Sequence, residues 1–153
     1  MSNVRRRKVN RFPSQISRAA VFVAVAISAA ALWWLKAEHY PTEPVRLAQA
    51  FIGHLAARQF IQAYELTVKS GHVGATAAQL EEISHREACK VERMVATSPF
   101  QSNGNRIRRW ASGQEVEMPE VQVEFEGACL LRVTVRRTQG NEWRVFTFAS
   151  HAG

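Results

Sequence analysis

Aspartate is absent from this chain: all 13 acidic residues are glutamates. That absence excludes mechanisms built on an Asp base, nucleophile or ligand, among them a Ser-His-Asp triad and the usual calcium loop. Glutamate replaces aspartate in some such sites, so the exclusion is strong without being complete. Cysteine is almost absent too, with Cys89 and Cys129 alone. Internal repeats, low-complexity tracts and catalytic signatures are also lacking. Function is therefore legible only as a class.

Acidic charge is missing altogether from the first 35 residues, where Arg5, Arg6, Arg7, Lys8, Arg11 and Arg18 make +6. Residues 36–153 carry 14 basic and 13 acidic groups, a balance of +1. The high pI therefore belongs to the N-terminal tail and speaks of topology, not of nucleic-acid binding.

Directly after that tail comes the longest apolar run of the chain. Ala19 to Leu35 is free of charge for 17 residues and closes on Trp33, Trp34 and then Lys36. As a helix it rises about 26 Å, a little short of a hydrocarbon core of ~30 Å. Arg18 and Lys36 extend it by snorkelling, and Trp33 and Trp34 stand where an interfacial aromatic belt forms. The basic prefix predicts a cytoplasmic N-terminus and a periplasmic C-terminal part, the arrangement of a single-pass inner-membrane protein. A cleaved secretory signal is the competing reading, with small-residue sites at Ser28-Ala29-Ala30 or Ala29-Ala30-Ala31. Against it, the apolar run continues through Leu32-Trp33-Trp34-Leu35.

The division that results is a basic tail over 1–18, an anchor over 19–35, a linker over 36–42 and an external domain over 43–153. The domain, roughly 115 residues, suffices for one modest core. Both cysteines fall in the part predicted to face an oxidising space. Either they pair, closing a loop of about 40 residues for some 3–4 kcal/mol, or they are two buried thiols on the core face.

Periodicity places helices first. Ala48, Phe51, Ile52 and Leu55 predict a helix over 43–57, with Thr42 as its cap and Pro44 in its first turn. Phe60, Ile61, Tyr64 and Leu66 predict a second. Thr76-Ala77-Ala78-Gln79 reads as a capping box opening a third, to His85. Beyond Glu87 the period becomes two, with Cys89, Val91 and Val95 on one face. A loop over Pro99–Asn105, with a turn at Asn103-Gly104, precedes a short strand at Arg106–Ala111. Ser112-Gly113 turns that strand into Gln114–Met118. Val121, Val123 and Phe125 alternate with Gln122, Glu124 and Glu126. Cys129, Leu131, Val133 and Val135 alternate with Arg132, Thr134 and Arg136. Gln139-Gly140-Asn141 leads into a last strand, Glu142–Ala149. The fold class expected is α+β: three helices on a curved antiparallel sheet of four to six strands.

Phe51-Ile52-Gly53-His54-Leu55, then Arg58-Gln59-Phe60-Ile61-Gln62-Ala63-Tyr64-Glu65-Leu66, and finally Gly140-Asn141-Glu142-Trp143-Arg144-Val145 carry a resemblance. Together they are similar to the nuclear-transport-factor-2-like (cystatin-like) superfamily, in its membrane-anchored or secreted bacterial branch, over residues 43–149. The resemblance implies a cone whose helices pack across a curved sheet, often with a pocket at the open end. Some relatives are isomerase-like or dehydratase-like enzymes that use Asp or His there. Others are noncatalytic single-pass assembly factors of type IV secretion systems, longer than this chain. With no Asp present, no catalytic residue carries over.

The resemblance thus implies a noncatalytic binding or assembly module, engaging a protein partner or a second copy through the open sheet face. The alternative is a small-molecule ligand in the cone pocket, near His54, Tyr64 and His85. Neither a cofactor nor a nucleic acid is expected. His54 or His85 would suit general-base chemistry, whereas a histidine at a helix C-terminus is favoured by the dipole alone. His85 and Cys89 have the four-residue spacing of a metal pair, but no second pair completes four ligands. Arg106, Arg108, Arg109, Arg132, Arg136 and Arg137 either meet an acidic partner or anionic headgroups, or are balanced by Glu115, Glu117, Glu124 and Glu126 across the sheet.

Overall fold

In the computed structural model, helix α1 runs through Ser14–Lys36, 23 residues that rise about 35 Å, and from Val21 to Trp34 its large apolar side chains are exposed. The structure describes residues 14–151, with side chains from residue 19 onward, so the tail cations and the Arg18 side chain lie outside the described residues. Over Ala19–Lys36 the mean hydropathy is 1.9 and none of the window is buried. The one hydroxyl between Ala19 and Lys36, Ser28 Oγ, donates to the Ala24 carbonyl at 2.8 Å, which satisfies it within the helix.

After a short link, α2 spans Thr42–Ala56, α3 Phe60–Glu65 and α4 Ala77–Glu87. Pro41, not Thr42, occupies the position before α2, and no side chain caps it. Thr76 caps α4 by accepting from Gln79 N at 3.2 Å, while Gln79 Oε1 reaches back to Ala75 N at 2.7 Å. In α3, Phe60, Ala63 and Tyr64 turn inward at helical spacing, which leaves Ile61, expected to be an apolar contact, 69% exposed.

The strands are β1 (Val91–Ser98), β2 (Glu120–Gly127), β3 (Leu130–Arg137) and β4 (Trp143–His151), an antiparallel sheet in the order β1-β2-β3-β4. Val121, Val123 and Phe125 from β2 and Leu131, Val133 and Val135 from β3 are buried as their alternation predicts. They meet Val45, Ala48, Phe51, Ile52 and Leu55 from α2. In β4 the buried pair is Val145 and Phe148, three apart, because a bulge beside Val135 inserts one residue and resets the alternation. Two irregularities do the same in β1, so Met94 packs against the core and Val95, expected there, is 43% exposed. Gly127 is required where β2 ends, since a Cβ there would lie 2.3 Å from the Lys90 carbonyl oxygen.

The outer edge of β4 is closed by the chain after α3, with Val68 N donating to the Val145 carbonyl at 3.0 Å and Val145 N to that of Leu66 at 2.9 Å. Cys89 and Cys129 are joined by a disulfide with Cα atoms 6.0 Å apart, tying the approach to β1 to the β2–β3 hairpin.

The largest departure from expectation lies between β1 and β2. Arg106–Ala111 is not a strand, and Gln114–Met118 forms none. Asn103–Ala111 is instead a helix, α5. Ser102 Oγ accepts from Asn105 N at 3.3 Å, so Asn103-Gly104 forms the first helical turn and not a loop turn. The sheet therefore has four strands among the described residues, and the external domain has a fourth helix.

Candidate functional site

The ends of α2 and α4 and the starts of α3 and β1 enclose a groove of about 320 Å³. Ile52, Leu55, Val91 and Leu131 form its apolar floor and Phe60 one wall. Arg58 and Lys90 supply its cations, His85 adds an imidazole, and no carboxylate is among its lining residues. Arg58 adopts a left-handed φ of 56° in the tight α2–α3 turn.

Of the three residues expected to share a pocket, His85 alone lines this groove. Its ring faces Phe60 with centroids 6.3 Å apart, and its Nε2 lies 3.9 Å from Glu81 Oε1. His54 sits outside, its Nδ1 2.7 Å from Gln59 Oε1 across the α2–α3 turn. Tyr64 donates its hydroxyl to the Ala75 carbonyl at 2.6 Å and thereby ties α3 to the segment before α4. These two histidine and tyrosine contacts shape the scaffold around the groove. The Ser84 hydroxyl donates to the Glu81 carbonyl at 2.7 Å, and the sulfur of Cys89 is held in the disulfide. Neither is placed as a nucleophile with an adjacent base. Among the described residues, no group of three or more His, Cys or Glu side chains gathers as a metal site would.

The six arginines of the sheet region separate into two sets. Arg132 pairs with its cross-strand neighbour Glu124 at 2.6 Å, Arg136 with Glu120, Arg137 with Glu115 at 2.9 Å and Arg106 with Glu117 at 2.6 Å. Glu126, the remaining expected acid, pairs with Arg93 at 2.7 Å. Exposed pairs of this kind add only about 0–1 kcal/mol each, but they account for these charges as structural. Arg108 and Arg109, both on α5, have no carboxylate within salt-bridge distance among the described residues. One Arg108 guanidinium nitrogen donates to Asn105 Oδ1, and Arg109 Nε donates to the Glu115 carbonyl at 2.7 Å.

A second constellation, in which the sequence pointed to Arg106 and Glu117 but not to His39, lies at the end of the domain nearest α1. Glu117 receives Arg106 on one oxygen and faces His39 Nε2 at 4.0 Å on the other. His39 N also donates to the Gln101 carbonyl at 2.7 Å. Glu117 thus joins α5 to the link that leaves α1. The Arg106 hydrogen bond holds the Glu117 carboxyl below its ordinary value, against the opposing effect of burial. Nearby Arg106, His39 and Arg137 charge acts in the same lowering direction. A depressed carboxylate pKa means stability present above the unfolded value of 4.5 and lost as pH falls through the folded value. The contribution is full well above that unfolded value and declines as pH falls through it towards the folded one. Glu117→Gln should therefore destabilise the domain at pH 7 and flatten the acid limb of its stability–pH curve, read by denaturant titration across pH 3–7. An unchanged acid limb would remove Glu117 from this role.

No family model, curated protein or solved structure matches this chain. What the chain does must therefore be read from its own residues.

Proposed function

We propose that this protein is a membrane-anchored, noncatalytic binding or assembly module of the bacterial cell envelope. Its N-terminus lies in the cytoplasm, α1 crosses the inner membrane once, and the α+β domain works in the periplasm. The observation that carries the reading is α1 itself, apolar over Ala19–Lys36, with none of that window buried and only its last turn touched by the folded domain. A soluble protein would bury such a surface, whereas lipid requires it.

Other features support the same placement. Six cations and no acids precede the span, the charge asymmetry that retains an N-terminus in the cytoplasm. The Cys89–Cys129 disulfide suits an oxidising compartment. Contact between α5 and the last turn of α1 favours a retained anchor over a cleaved signal, because cleavage near Ala30 would leave a tryptophan-rich stub fixed to the domain. Three helices ahead of an antiparallel sheet are the arrangement that kinship with the nuclear-transport-factor-2-like superfamily would require, and a part in secretion-system assembly is what that kinship would bring. In that role the domain engages a protein partner or a second copy of itself.

The groove favours a second reading, a small-ligand-binding domain. Its apolar floor and its two cations, Arg58 and Lys90, suit an anionic amphiphile, at a volume near the lower end for ligand pockets. An isomerase- or dehydratase-like activity has less support, since the groove presents His85 without a carboxylate beside it in the lining.

A reporter enzyme active only outside the cytoplasm, fused after Gly153, should be active, and the full-length chain should stay in membranes after carbonate washing. In mild detergent the protein should migrate as a dimer or larger complex. Reporter activity confined to the cytoplasm would overturn the topology. A strictly monomeric chain that retains a bound acyl anion would favour the ligand-binding reading.

A further inference from the structure

We propose that α5 lies in the bilayer interface beside the outer end of α1. Its apolar side faces the acyl boundary, and Arg108 and Arg109 meet anionic phospholipid headgroups of that leaflet. The proposal rests on the reading of α1 as a membrane span and adds the orientation of the domain to it.

The position of α5 follows from four contacts. Asn103 Nδ2 donates to the Trp34 carbonyl at 3.1 Å, and Asn103 N donates to that of Ala37 at 3.1 Å. Gly104 packs so closely that a Cβ would lie 3.0 Å from the Leu35 carbonyl oxygen. Glu38 and Ser102 form a backbone bridge just beyond. The first turn of α5 is thus held at the level where the apolar run ends, which is headgroup depth for a span closing on two tryptophans.

The orientation follows from helical geometry. Asn103, Ile107, Trp110 and Ala111 recur at i, i+4, i+7 and i+8 and share one side. That is the side by which Asn103 touches α1. Beyond the first turn it carries Ile107, 43% exposed, and Trp110, 71% exposed, with Phe100 at 61% just ahead of the helix. All three are exposed, Trp110 most of all. Arg108 and Arg109 stand on either side of the opposite half of the helix, roughly 120–140° round from that side, Lys36 is near, and no acidic residue occurs from Gln101 to Gln114. An apolar side with tryptophan, arginines on the opposite half and no acid is the pattern of a helix lying in a lipid interface. A protein partner would bury the same side, but the tether to α1 already places it at the membrane surface.

The test uses the full chain reconstituted in vesicles of phosphatidylcholine and phosphatidylglycerol carrying bromine on their acyl chains. Trp33→Phe, Trp34→Phe and Trp143→Phe together leave Trp110 as the sole tryptophan. The difference between wild type and Trp110→Phe reports the same signal without altering Trp143. Trp110 emission should be quenched by brominated lipid and protected from acrylamide. At ~1 kcal/mol for each arginine near an anionic surface, R108Q with R109Q should lower the docked-to-undocked ratio roughly 30-fold. Trp110 quenched by acrylamide and not by bromine would overturn the proposal. So would Trp110 shielded from both, which would assign α5 to a protein partner. A companion chain retaining only Trp33 separates the two readings. Quenched Trp33 with unquenched Trp110 overturns the docking alone, whereas unquenched Trp33 overturns the span and the docking with it.

Discussion

Phe51→Ala lowers the unfolding free energy of the external domain by about 3–5 kcal/mol. Phe51 is fully buried at the centre of α2 and meets Phe148 edge-to-face, with centroids 5.3 Å apart. It is the largest of the fully buried side chains. Its loss removes apolar contacts between α2 and the sheet and leaves a cavity that backbone on both sides cannot readily fill. Because Phe148 depends on a bulge in β4 to face inward, the cavity also undercuts the element that bends the sheet. Domains of this size hold about 5–15 kcal/mol in total, so the variant should unfold at much lower urea with an unchanged m-value. Ile61→Ala on the exposed side of α3 should move the midpoint little. Equal losses at Phe51 and Ile61 would refute this packing.

Replacing Cys89 and Cys129 together by serine should cost the domain about 4 kcal/mol, from the entropy of a loop closed over 40 residues. The bridge joins the chain just before β1 to the β2–β3 hairpin, and between them runs the whole of β1, α5 and β2. Without it, β1 is held to the sheet by a ladder interrupted twice by irregularities. Denaturant titration of the oxidised wild type and the double variant checks the magnitude. A difference under 1 kcal/mol would show that the bridge constrains the unfolded chain little. Since Cys89 also borders the groove, loosening there should precede global unfolding and appear as faster amide exchange over residues 88–98.

Regular periodicity is legible in the sequence, and broken periodicity is not. The alternation of β2 is uninterrupted, so Val121, Val123 and Phe125 are all buried. In β3 Leu131, Val133 and Val135 are buried as expected, but Thr134, expected to face out, is buried between them and Cys129 is only half-buried. In β1 and β4 a bulged residue shifts the face beyond it, and no local pattern announces it. Arg106-Ile107-Arg108-Arg109-Trp110 fits a short alternating strand as well as one side of a helix. Ser102 as a cap, and α1 waiting at the helix start, decide for the helix. The groove is legible only through His85. Its cations come from a turn and the approach to β1, which converge only once the helices pack on the sheet.

The sequence alone determined that there is one apolar segment with a basic prefix, a near-neutral α+β domain behind it, and two cysteines available to bridge. Each follows from composition or from a local period of 2 or 3.6 residues. Tertiary structure decided which arginines pair with glutamates and which do not. Pairing depends on strand register and on helix position, not on residue type. Glu117 reached Arg106 and His39, and α5 reached the end of α1, across intervals of chain that no local pattern spans.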